Sequence, residues 1–188
     1  MSAGPDAWTV RRISRSMLPL LAVLTLVELG SGLVLDTLRE TLFEYPSLLV
    51  LVPVTIGMGG NLGSILAARL STAFHLGLLS FSPDDERLAG NTLATVALAL
   101  TVFPVVGTGA WLLQRLFGAT ELGLGTVLAV ASLSGFVLAL IAVAVTIAAT
   151  YAAYRFGLDP DEVVIPVVTN TCDVLGVVVL FGAVRALV

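Results

Sequence analysis

Charged residues are scarce in this 188-residue chain. Asp, Glu, Lys and Arg make up only 12% of it, about half of the roughly 25% that is typical of a soluble domain. The nine basic residues are all Arg, and 13 acidic residues outnumber them, for a formal net charge of −4. The chain therefore lacks the charged surface of an ordinary soluble enzyme and the basic face that binds nucleic acid, and we expect no nucleic-acid partner.

Residues that build catalytic centres and thiolate sites are equally scarce. A single Cys, Cys172, excludes an internal disulfide and a thiolate metal cluster within one chain. The sequence has one His, His75, and it contains no HExxH motif and no phosphate-binding loop. We therefore predict that the protein is not an enzyme and that it carries no cofactor.

Long apolar runs are what the chain has instead, since 57% of its residues are hydrophobic. A helix needs about 20 apolar residues to cross a hydrocarbon core about 30 Å thick. Short charged loops, such as 36–44, separate the runs. The predicted helices span about residues 16–35, 45–68 with an extension to 82, 88–114, 122–154 and 163–184. This pattern predicts an all-α integral membrane protein in which residues 1–188 form one membrane domain with no soluble domain.

Arginine placement predicts the orientation of these five spans. If the N-terminus lies inside, the inner segments carry six arginines and the outer segments three. Three of the six precede the first span, which usually weighs most under the positive-inside rule. We therefore predict an N-terminus inside and a C-terminus outside. The location expected for this multi-pass protein is the plasma membrane.

An acidic residue stands in the middle of the fifth predicted span. Asp173 is the eleventh of the 22 residues from 163 to 184, and an ionised carboxylate at this depth costs about 3 kcal/mol on insertion scales. Helical periodicity places it on one face with four neighbours: Pro166, Thr169, Asn170 and Gly176. Oxygen ligands of this kind suit hard cations such as Mg²⁺. The face is typical of a cation site, and an acid that only ties helices together is the alternative.

The second predicted span carries a run of glycines. Four of them fall within residues 57–63, and Gly57, Gly60, Asn61 and Ser64 form a small, polar stripe. Two interpretations stay open: close helix packing, which the glycines alone favour, and the lining of a pore, which Asn61 supports.

Other acidic residues lie nearer the ends of the spans. Glu28, in the first span, either guards a pore mouth or pairs with an Arg of a neighbouring helix, and we expect a structural or secondary role for it. The groups 84–86 and 159–162 are typical of solvated loop ends, and on the inner side they would also concentrate cations.

Two strings resemble a known family. Residues 59–72, GGNLGSILAARLST, resemble the helix-two signature of MgtE-type magnesium transporters and are closer still to the solute carrier family 41 branch. Residues 166–176, PVVTNTCDVLG, resemble the helix-five pattern of the same family. The two motifs occur in the expected order and on the expected helices.

The resemblance implies a dimeric, Mg²⁺-selective pathway lined by helices two and five. It implies that Asp173 holds hydrated Mg²⁺ at the centre, that the backbone carbonyl of Thr169 contributes, and that Asn170 and the Asn61 region line the pore. Mg²⁺ is then the transported ion and not a cofactor. Only about 16 residues precede the first predicted helix, so we expect no gating by a cytosolic sensor domain like those of bacterial relatives.

Coordination chemistry supports the two-fold dimer independently. Mg²⁺ prefers octahedral oxygen coordination and sheds water reluctantly, which one Asp in one five-helix unit does not satisfy. Two copies of Asp173 across a two-fold axis balance the charge of a hydrated ion, and such dimers are the commonest oligomers. A similar half unit encoded separately is an alternative partner. Two functional alternatives also stay open: an exchanger coupled to Na⁺ or H⁺, and a scaffold that conducts only with a second half.

Overall fold

Six helices make up the fold in the computed structural model, which describes residues 9–82, 84–117 and 122–188. They are α1 (Val10–Thr37), α2 (Arg39–Glu44), α3 (Ser47–His75), α4 (Glu86–Leu116), α5 (Leu124–Phe156) and α6 (Pro160–Leu187). No β-strand occurs within these ranges. Residues 1–8, 83 and 118–121 of the predicted domain lie outside the described residues.

Five of the six helices are long and apolar enough to cross a membrane, and α2 is the exception. The prediction of an all-α protein with five candidate transmembrane helices is therefore confirmed. Each long helix extends beyond its apolar run at one or both ends, because charged residues such as Arg11 and Arg115 are helical too.

The second span ends earlier than its predicted extension to residue 82. The helix α3 stops at His75, because Gly77 adopts a left-handed conformation with φ of +67°. The N–H of Leu78 donates to the carbonyl of Ala73, and the N–H of Gly77 donates to that of Phe74. This pairing is the Schellman motif, which ends a helix where glycine supplies the positive φ.

The segment 36–44, which was predicted to be a loop, also differs from its prediction. Its residues Arg39–Glu44 form the short helix α2, whose Leu42 is buried in a core cluster with residues of α3 and α6. Burial of this apolar side chain in the core cluster holds α2 beside α3, which it contacts.

Packing divides the bundle into a centre and a periphery. The helices α3, α5 and α6 pack against one another, and α4 packs against α3 and α5. Within the described residues, α1 contacts only α6 and α2, and none of its own residues is buried. One face of α6 therefore lies between α1 on one side and α3 on the other.

The carboxylate of Asp85 joins the segment after α3 to the start of α4. Its Oδ1 accepts hydrogen bonds from the N–H groups of Arg87 and Leu88, at 3.0 and 3.2 Å. Its Oδ2 accepts from the backbone N–H and the hydroxyl of Ser80, at 2.8 and 3.0 Å. These bonds, that of the Ser80 backbone foremost, lower the pKa of Asp85 from 3.8 to about 2.

Replacing Asp85 with Ala should therefore lower the melting temperature by about 2–4 °C, as expected when a helix cap is lost from a chain of this size. The control is Asp84→Ala, which removes an equal charge from the neighbouring position. Because folding lowers the pKa of Asp85, its stabilisation is present above pH 4 and is lost as the pH falls through about 2. Thermal melts from pH 7 to pH 2 test this, and a difference between wild type and Asp85→Ala that grows toward pH 2 would contradict it.

Candidate cation site

Two glycines of α3 allow close contact with the central helices. A Cβ at Gly63 would lie 2.2 Å from Cγ1 of Val168 on α6, and one at Gly59 would lie 2.3 Å from Cδ2 of Leu138 on α5. Both distances are far below van der Waals contact, and Val168 and Leu138 are fully buried. At these two positions the packing interpretation of the glycine run applies.

The predicted polar stripe of α3 is divided between a packed side and an open side. Gly60 is buried, and a Cβ there would lie 3.7 Å from Cγ2 of Thr169. Ser64 is half-buried and donates its hydroxyl to the carbonyl of Gly60 at 2.8 Å. Gly57 and Asn61 are exposed on the surface of the single chain, and a Cβ at Gly57 would meet nothing within 4 Å.

The predicted face of α6 meets two different helices. Asn170, at one edge of the face, is buried and contacts α1. Gly176, at the other edge, is buried against Ile56 of α3, where a Cβ would lie 3.3 Å from Cγ1. In angular position around the axis of α6, Asp173 lies between these two edges.

The strip of α6 between those edges is called here the α6 seam, and it comprises Pro166, Thr169 and Asp173. All three residues are half-buried. The hydroxyl of Thr169 donates to the carbonyls of Ile165 and Pro166 at 3.0 and 3.1 Å, so its own oxygen still has accepting capacity. Asp173 therefore belongs to the part of α6 that lies between its contact with α1, at Asn170, and its contact with α3, at Gly176.

Glu28 of α1 reaches the same part of α6. Its Oε1 accepts a hydrogen bond of 2.6 Å from Nδ2 of Asn170, and its carboxylate interacts electrostatically with that of Asp173. The expected alternatives for Glu28 included an Arg partner, and its partner is instead an amide. Among the described residues, no arginine forms an ion pair with Glu28 or Asp173.

A second group of polar side chains lies where α3 ends and α6 begins. Nε2 of His75 is 3.9 Å from Oδ1 of Asp159, and ligand atoms of these two residues and Asp161 all lie within 4.8 Å of one another. All three residues are exposed, as expected for the solvated acidic group at 159–162. The structure adds His75 to that group. Sequence reasoning missed this contact because 84 residues separate His75 from Asp159.

Comparison with known protein families shows the family to which this chain belongs. Residues 52–183, or 132 of the 188, match the family model of MgtE, described as a divalent cation transporter. The chain belongs to the MgtE family. Both strings on which the resemblance rests lie within the matched region, so the identification made from sequence is confirmed.

Individual relatives come from the solute carrier family 41. The chain is 27% identical over 155 residues to solute carrier family 41 member 3 of Rattus norvegicus, a match covering 80% of this chain and 34% of that protein. It is 25% identical over 159 residues to solute carrier family 41 member 2 of Homo sapiens, covering 80% and 27%. This MgtE-family protein thus spans about a third or less of the length of these relatives. Its family and its five long apolar helices show that it is a multi-pass membrane protein.

Proposed function

We propose that this protein is a Mg²⁺ channel or transporter whose pathway is lined by α3 and α6. The observation that carries the proposal is the half-buried Asp173, which lies at mid-helix on the face of α6 between its contacts with α1 and α3, in an MgtE-family chain. An acid at this depth without an arginine partner calls for a cation or water to offset the cost of its charge.

The ligands proposed for the ion are all oxygens of α6. They are the carboxylate of Asp173, the backbone carbonyl of Thr169 and the side-chain oxygen of Asn170. Pro166 has no N–H, so it leaves a carbonyl one turn earlier without its helical partner and adds acceptor capacity to the same strip. Oxygen-only ligands favour Mg²⁺ over metals that prefer nitrogen or sulfur.

A second copy of the chain completes the site in this proposal. Two Asp173 carboxylates across a two-fold axis balance the two positive charges of one largely hydrated ion. The exposure of Gly57 and Asn61 in the single chain suits residues that line a pathway between two copies. The proposal keeps the predicted orientation, with the N-terminus inside and the C-terminus outside the plasma membrane.

Flux through purified protein in liposomes tests this function. A trapped Mg²⁺-sensitive dye should report uptake driven by a Mg²⁺ gradient alone. Uptake that appears only with a Na⁺ or H⁺ gradient would instead assign a coupled exchanger.

A half subunit is the other candidate, because the chain spans only 27–34% of the length of these relatives. No uptake by the chain alone, with uptake restored by a second five-helix unit, would assign that role. Light scattering of the purified protein tests the homodimer directly, and a monomer that conducts by itself would contradict the two-copy site.

A further inference from the structure

The contact between Glu28 and Asn170 brings a second acid to the proposed ion site. Glu28 is the only charged residue between positions 16 and 35 of α1, and it lies where this helix packs against α6. We propose that Glu28 is the second carboxylate of the cation pathway, so that each chain supplies two negative charges, one from α1 and one from α6. This inference rests on the proposed function and deepens it.

The hydrogen bond also sets the direction of the Asn170 amide. An ionised carboxylate only accepts hydrogen bonds, so the NH₂ group of Asn170 must face Glu28 and the amide oxygen must point away from it. Asn170 is only 5% exposed. If its side-chain amide were flipped, water could not easily replace the lost hydrogen bond to Glu28. Glu28 thereby sets the orientation of the Asn170 amide beside Asp173, in addition to contributing charge.

A tether between helices does not require an acid at this position. The side-chain oxygen of Gln accepts the same hydrogen bond from Asn170 without placing a charge beside Asp173. Asn170 is hydrogen-bonded to Glu28 and lies three residues from Asp173, so the two acids are neighbours, and in the described part of the chain no arginine pairs with either of them. Two neighbouring ionised carboxylates repel each other, and a bound cation offsets that repulsion. A divalent cation held beside Asp173 in the proposed pathway supplies such a charge.

Substitutions at Glu28 separate charge from tethering. Glu28→Gln keeps the hydrogen bond and removes the charge, whereas Glu28→Asp keeps the charge on a shorter side chain. We expect Glu28→Gln to raise the half-saturating Mg²⁺ concentration for liposome flux about tenfold, the effect of losing one charge-assisted contact. We expect Glu28→Asp to stay closer to wild type than Glu28→Gln.

The control is Asp36→Asn, which removes one carboxylate from the same helix more than two turns away and should leave the half-saturating concentration unchanged. Wild-type behaviour of Glu28→Gln, with a loss in Glu28→Asp, would overturn the inference and assign Glu28 a tethering role only. If Glu28→Gln does not fold in a thermal melt, Glu28→Asp and Glu28→Asn repeat the comparison, since they differ only in charge.

Flux of Asp173→Asn, measured in parallel, separates a failure of the proposed ion site from a failure of the role of Glu28. Flux that survives Asp173→Asn would overturn the proposed site, and with it the role of Glu28. Flux that is lost in Asp173→Asn but is unchanged in Glu28→Gln and Glu28→Asn would overturn only the role of Glu28.

Discussion

Replacing Asp173 with Asn should reduce Mg²⁺ flux to the level of empty liposomes while the protein stays folded and keeps its oligomeric state. Asn occupies nearly the same volume, so the packing of α6 is preserved and only the charge is lost. A charge-assisted contact contributes about 1.5–3 kcal/mol, and two symmetric copies would be lost together. The expected decrease in ion occupancy is therefore about 100-fold or more.

The control for this prediction is Asp36→Asn, which removes the same charge from α1 outside the proposed pathway. Liposome flux, a thermal melt and light scattering on the same preparations separate loss of function from loss of fold. Flux in Asp173→Asn within a few-fold of wild type would show that the ion is held elsewhere.

Replacing Gly63 with Ala should lower the free energy of unfolding by about 1–3 kcal/mol, the usual cost of overpacking a core. The new Cβ would lie 2.2 Å from Cγ1 of Val168, a β-branched and fully buried residue that cannot easily turn aside. The helices α3 and α6 would have to separate, so flux should fall together with stability.

Gly57→Ala is the matched substitution, in the same helix and with the same added methyl group. A Cβ at Gly57 meets nothing within 4 Å in the single chain, so we expect no loss of stability and even a small gain from helix propensity. A folded Gly57→Ala protein with altered flux would support the pore-lining role. Equal thermal stability of Gly63→Ala and wild type would contradict the close contact between α3 and α6.

Much of the fold follows from local sequence alone. Runs of about 20 apolar residues leave the backbone no low-energy state in a bilayer other than a helix, so five spans were predictable from run length. The end of α3 was predictable only in part, because the left-handed conformation of Gly77 is a local feature that apolar run length does not report. The burial of Leu42, which gives α2 its position, depends on helices that are distant in sequence.

The candidate site was predictable as a set of residues but not as an arrangement. Periodicity places Asn170, Asp173 and Gly176 on one face of α6, yet it does not say which helix each edge of that face meets. The structure turns Asn170 toward α1 and Gly176 toward α3, and Asp173 lies between them. For the same reason periodicity could not tell the packed Gly60 from the exposed Gly57.

The sequence by itself determined the number of membrane helices, the MgtE family and the presence of an acid at mid-span, because each depends on residues that are near one another in the chain. Only the tertiary structure decided that Glu28 meets Asn170, since 142 residues separate them and α1 has a single long neighbour, α6. Side-chain packing sets the rotation of each helix about its axis, and packing is a property of residues brought together from distant parts of the chain.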